Sequence, residues 1–490
     1  MLPQMSPQEL VRRSVERLKR IKAATDLVTL VSGQLLSKVF GFLAFAILAR
    51  ILTPSEYGAV ETVVGMVAIG HMIIEFGSGI LGIRKISTDK TAANVIASTV
   101  TSGRFFMTLL VAPTLVVGYY VIVGSQTPLS LISLFGISLF ASALKLDWLF
   151  QAYDKMTTAA IGVSLKMIVF LVVIYFWPRS SFALTVVGGA EVLSMLAMAL
   201  FYFFAQRREL GLSIKFKSWR SSLSFLKESA PLGLSSFANT LSQAVPVLMI
   251  QAMSSASEAG EFGAAQRVIT SLITFSWLYY QNFFGLLTRQ IAQAPAQAQK
   301  LVMSSDRFVA WGGIACGVFL TVAAQPLMQI AFGEALSQSF LEFSVLAWCL
   351  PVTLASGSAR WLLIAQDKHK SQMFVQFAGA FVSIAVTFLF TRQLGGLAAA
   401  IGMLCGAILI FILANFAVRS CAIKPHNQAL LLPGAVGIAA VIAGPLIPLP
   451  RVAAAGLLAI LIVGLALLIP KVRASVFHLI ESKHQKSPPP

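Results

Sequence analysis

The chain has 490 residues, 57% of them hydrophobic and only 11% charged, with a mean hydropathy of +0.81. A soluble domain carries about 25% charged residues, so this chain lacks the charge to wet a globular surface. Its net charge of +18 belongs first to membrane orientation, with nucleic acid a poor second reading.

Residues 1–26 begin with Ser6-Pro7-Gln8-Glu9, where the serine can cap a helix and the glutamate can bond back to the cap. Leu10, Val11, Leu18 and Ile21 then share one helical face, with Arg12, Arg13, Arg17, Lys19 and Arg20 largely around it. The segment is expected to lie as a basic amphipathic helix on an anionic cytoplasmic leaflet. It is not read as a cleavable signal, because it is polar and runs straight into a full-length span.

Fourteen apolar runs follow, each long enough to cross a hydrocarbon core of about 30 Å as a helix. They lie at 27–49, 59–81, 104–124, 127–145, 157–177, 183–205, 230–252, 264–287, 308–332, 340–365, 373–392, 396–418, 428–448 and 452–470. The expected fold is therefore an all-α polytopic membrane protein. Alternating the connectors places 29 of the 37 Lys and Arg residues on the side holding both termini, five on the other side and three within spans. That bias predicts cytoplasmic ends. The tail 471–490 closes on Lys486-Ser487-Pro488-Pro489-Pro490 and is expected to be disordered.

The connector after the first span, Ala49-Arg50-Ile51-Leu52-Thr53-Pro54-Ser55-Glu56-Tyr57-Gly58-Ala59, predicts a sharp helix start. Thr53 caps, Pro54 takes the first helical position and Glu56 closes a capping box. Glu56-Tyr57-Gly58-Ala59 returns 205 positions later as Glu261-Phe262-Gly263-Ala264, again opening a span after an outer connector, and the same offset sets Arg84 against Arg289. The six-span offset predicts a parallel repeat with a central site between its halves. The domain layout expected is a lobe over 27–205, a basic connector over 206–229, a second lobe over 230–418 and two extra spans in 419–470.

Cys316, Cys349, Cys405 and Cys421 are far apart and lack metal-ligand spacing, so no disulfide framework and no metal site are expected. No GxxxxGK[ST] phosphate loop, HExxH or GxSxG occurs, which leaves no expected cofactor and no catalytic residues. Any drive for transport would come from an ion gradient, the membrane potential or removal of product.

Three stretches carry a family resemblance. They are Ala49-Arg50-Ile51-Leu52 with Glu56-Tyr57-Gly58, Asp147-Trp148-Leu149-Phe150-Gln151-Ala152-Tyr153-Asp154-Lys155-Met156, and Leu226-Lys227-Glu228-Ser229-Ala230-Pro231-Leu232, with Phe332-Gly333-Glu334 in support. Together they resemble the Wzx-type polysaccharide exporters of the MOP flippase superfamily, over residues 25–420. The family commonly has glycine and glutamate where this chain has Ala152 and Asp154. The resemblance implies two six-helix lobes that alternate between inward- and outward-open forms in a bacterial inner membrane. It implies an undecaprenyl-diphosphate-linked oligosaccharide as cargo, moved from the cytoplasmic to the periplasmic leaflet through a cationic cavity. The partners implied are that glycolipid, membrane lipids, and the polysaccharide polymerase and chain-length machinery.

An ionisable group at membrane depth costs about 2.5–3.5 kcal/mol on insertion scales, so each needs a partner or a cavity. Lys38 and Lys166 fall near mid-span, Arg50 and Arg267 near the outer ends of their spans, and Arg360 toward an inner end. All five are candidates for an anionic diphosphate, since Arg can grip phosphate bidentately and Lys acts as a point charge. The competing readings are snorkelling for the three arginines and a plain ion pair with Glu191 for Lys166. Glu61, His71 and Glu75 form a second set on span 2, read either as a proton-exchanging group beside Lys38 or as static neutralisation of it. Two other functions compete. A MATE-like drug antiporter would want an acidic cavity, and a glycan polymerase or ligase would want acids and bases on the short outer connectors.

Overall fold

The structure, a computed structural model, describes residues 33, 35–124, 127–177, 182–421 and 423–484. The N-terminal segment 1–26 and the last six residues lie outside these. All regular structure among the described residues is helical. Helix α1 runs over 35–51, followed by α2 (Pro54–Glu75), α3 (Ser78–Thr88), α4 (Ala93–Val123), α5 (Leu129–Ser142), α6 (Asp147–Ala152), α7 (Met156–Phe176) and α8 (Ala183–Leu210). Then come α9 (Trp219–Met253), α10 (Ala256–Gln293), α11 (Pro295–Val322), α12 (Ala324–Phe332), α13 (Phe340–Leu346), α14 (Cys349–Ala365), α15 (His369–Leu394), α16 (Gly396–Ala417), α17 (Leu431–Ala443), α18 (Arg451–Leu468) and α19 (Pro470–His484).

Among the described residues ten helices are long and apolar enough to cross a membrane, or eleven if α11 and α12, bent by 72°, form one span. The expected count of fourteen is not reached. The shortfall falls on α1, described only in part, and on α9 and α10, which stand where spans were expected but carry Asn239, Gln243, Glu261, Gln266 and Arg267 along their length. The fourth helix starts at Ala93, eleven residues before the expected span, and its early polar side chains are satisfied there: Thr99 Oγ1 donates to the Val95 carbonyl at 2.8 Å, and Ser98 and Ser102 accept from the Lys215 and Lys217 N–H groups. The tail is also more ordered than expected, helical as α19, with Val472 and Ser475 buried and Arg307 of α11 donating to Ser475 Oγ at 3.2 Å.

The chain divides into two compact units. The first holds the described residues up to Phe45 with Gly70–Gly118 and Pro128–Gly233. Its core forms where Leu81, Val100, Trp148, Phe150, Met198 and Tyr202 interlock. Within it, the run from α2 to α3 breaks at Phe76 and Gly77, both at positive φ. Gly233 of α9 lies so close to this break that a Cβ there would sit 2.6 Å from the Phe76 carbonyl carbon, and Ser229 Oγ donates to the Phe76 carbonyl at 2.9 Å. The Leu226–Leu232 stretch that carried part of the resemblance is thus the element that receives a helix break.

The second unit holds Ala46–Ile69, Tyr119–Thr127 and the described residues from Leu234 on. Among its described residues one core lies around Tyr280, Leu287, Leu301 and Leu362 and another around Trp311, Val318, Leu458 and Ile462. The expected capping box is formed. The Thr53 N–H donates to Glu56 Oε2 at 2.9 Å and the Glu56 N–H to Thr53 Oγ1 at 3.3 Å. The two copies of the repeat motif pack on one another here. A Cβ on Gly58 would collide with the Ala256 carbonyl, one on Gly260 with the Pro54 carbonyl, and one on Gly263 with the Glu61 side chain at 2.7 Å. Glycine at these places lets α2 and α10 touch backbone to backbone.

Candidate functional site

The close approach of α2 and α10 sets up a polar site in the second unit. Glu61, one turn past Gly58, meets Arg267, one turn past Gly263. Arg267 Nε donates to Glu61 Oε1 at 2.8 Å and Nη2 to Oε2 at 2.6 Å, a bidentate pair. The Glu61 side chain is 7% exposed and the Arg267 side chain 21%. Tyr57, fully buried, faces both members of the pair. Beside them opens a cavity of about 250 Å³, lined by this pair with Asn239, Gln243, Gln266 and Thr270 among others. Gln266 Nε2 donates to the Gln243 carbonyl at 2.9 Å, which ties α10 to α9 across the cavity wall.

As it stands the arrangement is balanced, one guanidinium against one carboxylate. A guanidinium has five N–H groups in a planar fork, and two of them are committed to the carboxylate. A carboxylate that takes a proton or swings aside would leave the fork to a phosphate of similar bidentate geometry. The amide and hydroxyl lining suits the hydroxyl groups of a sugar.

The first unit holds a second set of charges at membrane depth. Lys166 Nζ lies 2.8 Å from Glu191 Oε1, with both side chains largely buried. Lys145 Nζ donates to Glu75 Oε1 at 2.9 Å. His71 stands within electrostatic reach of Lys166, Lys145, Glu75 and Arg104. Arg104 is 2% exposed; its Nε donates to Ser78 Oγ at 3.1 Å, its Nη1 to the Lys145 carbonyl at 2.9 Å, and its guanidinium faces the Trp148 ring at 5.9 Å.

Besides His71, the residues singled out in the sequence are placed as follows. Glu61 and Arg267, assigned separate roles, are partners. Lys166 has Glu191, as one of its two readings anticipated. Glu75, for which neutralisation of Lys38 was one of two readings, is held by Lys145, because α2 lies beside α5 at Leu139 and the lysine just past α5 reaches back to it. Lys38 is exposed on α1. Arg50 Nη2 donates to the Ile330 carbonyl at 2.6 Å, which satisfies an open carbonyl in the last turn of α12. Arg360 is half-buried on α14, with its Nε buried and without a hydrogen-bond partner among the described residues.

Arg104, Lys145, Gln243 and Gln266 were missed. Arg104 and Lys145 were counted as connector charges, and only the helical continuity of α4 back to Ala93 would have drawn Arg104 inside. Gln266 carried a signal: the 205-residue offset maps Glu61 onto it, one position before Arg267.

The sequence pattern of the family described as polysaccharide biosynthesis protein matches residues 24–282, more than half of the chain. The chain belongs to that family. A relative described as "Putative O-antigen transporter", from Shigella dysenteriae, is 22% identical over 386 residues, covering 78% of this chain and 96% of the relative. Among solved structures, the lipid II flippase MurJ in an inward closed conformation aligns with a TM-score of 0.70 at 11% identity, over 90% of this chain and 99% of that one. An inward-facing MATE-family multidrug resistance transporter of the MOP superfamily aligns with a TM-score of 0.60 at 14% identity, over 82% and 95%. This polysaccharide biosynthesis protein therefore has the helical fold of MOP-superfamily transporters, and the resemblance read from its sequence is borne out.

Proposed function

We propose that the protein turns an undecaprenyl-diphosphate-linked oligosaccharide from the cytoplasmic to the periplasmic leaflet of a bacterial inner membrane. The observation that carries this reading is the second unit's cavity, where a guanidinium paired with a carboxylate stands among amides and hydroxyls. Diphosphate and sugar are the two chemistries such a lining suits. Family membership and the described O-antigen relative support a glycan cargo, and the flippase and MATE folds support alternating access.

In this reading Glu61 is the resident anion of Arg267. An arriving phosphate competes for the guanidinium, and the displaced carboxylate is free to take a proton, which couples Glu61 to transport. His71 and Glu75 form a second proton-exchange candidate in the first unit. Lys38, Lys166, Arg50 and Arg360 are the remaining cargo contacts, and the ion pair of Lys166 and the helix-end contact of Arg50 give those two structural work besides. Both termini are cytoplasmic, as the 29-to-5 bias of Lys and Arg supports. Transport proceeds without covalent chemistry on the glycan, which a polymerase or ligase then receives. A MATE-like antiporter shares the fold, but this cavity holds one acid against one base and so has no excess of acid for a cationic drug.

The test is the sidedness of lipid-linked repeat units in membranes of a deletion strain, read with an impermeant glycan label. Repeat units stranded on the cytoplasmic leaflet are expected. Equal labelling with and without the protein would overturn the reading.

A further inference from the structure

Between α8 and α9, residues 211–218 run as an extended strap along the first third of α4. Three alternate backbone N–H groups of the strap are received by side chains spaced four apart on that helix. Ser213 N donates to Asn94 Oδ1 at 2.8 Å, Lys215 N to Ser98 Oγ at 3.0 Å and Lys217 N to Ser102 Oγ at 2.8 Å. Four helical residues rise about 6.0 Å and two extended residues about 6.6 Å, so the two spacings match over this length. Ser222 Oγ adds a bond to the Thr99 carbonyl at 3.1 Å. The strap is therefore fixed by its backbone and by Leu212 and Ile214, which pack on the first unit's core, and this leaves its basic side chains uncommitted to holding it.

Those side chains have an unusual charge balance. Residues 206–229 contain six Lys or Arg and two Glu. Both glutamates are occupied elsewhere: Glu209 lies 3.2 Å from Lys155, and Glu228 lies 2.6 Å from Lys85. Lys215 and Arg220 are exposed and Lys217 half-exposed, with no described carboxylate against them. Amid these cations Phe216 is 63% exposed, edge-on to Phe105 and Phe106 at 5.3 Å, and Trp219 meets Phe106 at 5.4 Å.

We propose that this strap is a binding surface for anionic phospholipid headgroups. The span containing α4 has 34 residues, about 51 Å of helix, against a hydrocarbon core of about 30 Å, so its strap-bearing end extends beyond the core. An exposed aromatic ring needs an apolar medium, and three uncompensated cations need an anion. The headgroup boundary of an anionic leaflet offers both within a few ångströms, with rings at the headgroup level and lysine stems reaching the phosphates. An acidic protein surface would supply the charge but leave Phe216 in water.

The experiment uses the full-length, delipidated protein in detergent, titrated with phosphatidylglycerol or phosphatidylcholine of the same acyl chains and read by native mass spectrometry. Wild type is expected to retain phosphatidylglycerol preferentially. The variant Lys215→Gln/Lys217→Gln/Arg220→Gln is expected to lose most of that preference, at about fivefold per charge removed near an anionic surface. Phe216→Ala is expected to weaken both lipids alike. Unchanged thermal unfolding of the triple variant verifies that only exposed groups were altered. A triple variant with wild-type preference, a wild type with none, or a strap that binds polyglutamate while ignoring phosphatidylglycerol would each overturn the assignment. The outcome is independent of the transport reading, since no glycan is involved.

Discussion

Arg267 grips Glu61 through two parallel hydrogen bonds of 2.8 and 2.6 Å, although the two residues stand 206 positions apart in the chain. Removing one member of such a buried pair typically costs about 3–5 kcal/mol, because the other charge is left in a poor medium. Glu61→Gln and Arg267→Gln should each lower the thermal unfolding temperature of the purified protein, and the double variant should recover much of the loss. Simple additivity of the two losses would show that they are not energetically coupled.

Lys166 and Glu191 allow structural and transport roles to be separated. Lys166→Met should destabilise the protein strongly, and adding Glu191→Met should restore most of the stability, since replacing both members of a buried pair by apolar groups is often neutral. Export by the restored double variant would assign Lys166 to structure alone. A stable double variant that fails to export would place Lys166 in the path of the cargo.

The contact between the repeat copies makes a prediction about methyl groups. Gly58→Ala presses a Cβ into the Ala256 carbonyl and should cost about 1–3 kcal/mol, typical of overpacking. Gly285 on α10 has open space around it, so Gly285→Ala should be neutral or stabilise by up to about 1 kcal/mol through helix propensity. The two variants share one chemistry and should move the unfolding temperature in opposite directions or by clearly unequal amounts.

Outside the spans, His426 gives a pH dependence. Burial, with Arg307 and Lys471 nearby, holds its imidazole below the usual value of 6.5. The folded protein then binds this proton less readily than the unfolded chain, so the associated stability is present above about pH 6.5 and is lost as pH falls through the folded value. Unfolding temperatures measured from pH 8 to pH 5 should decline less steeply in His426→Gln. An identical slope would remove His426 from the account.

Much of the fold was legible because crossing a membrane demands long apolar runs, and the Thr53–Glu56 capping box was legible because both partners lie within four residues. The early start of α4 was not. Asn94, Ser98, Thr99 and Ser102 read as connector polarity, yet Thr99 satisfies its own helix and the other three receive the strap. Arg104 was misplaced by the same polarity. The pairing of Glu61 with Arg267 depends on two helices meeting at glycines, a relationship that composition along either helix does not encode.

The Ser229 hydroxyl stands 2.9 Å from the Phe76 carbonyl and 3.0 Å from the Leu226 carbonyl, with one proton to give. Only one of the two can receive a full bond at a time. The break between α2 and α3 and the turn of α9 beneath it are therefore rivals for a single hydrogen. The hydroxyl that pins the break between α2 and α3 is thus drawn from the same proton that can turn back onto its own helix, so Ser229→Ala would remove both contacts at once.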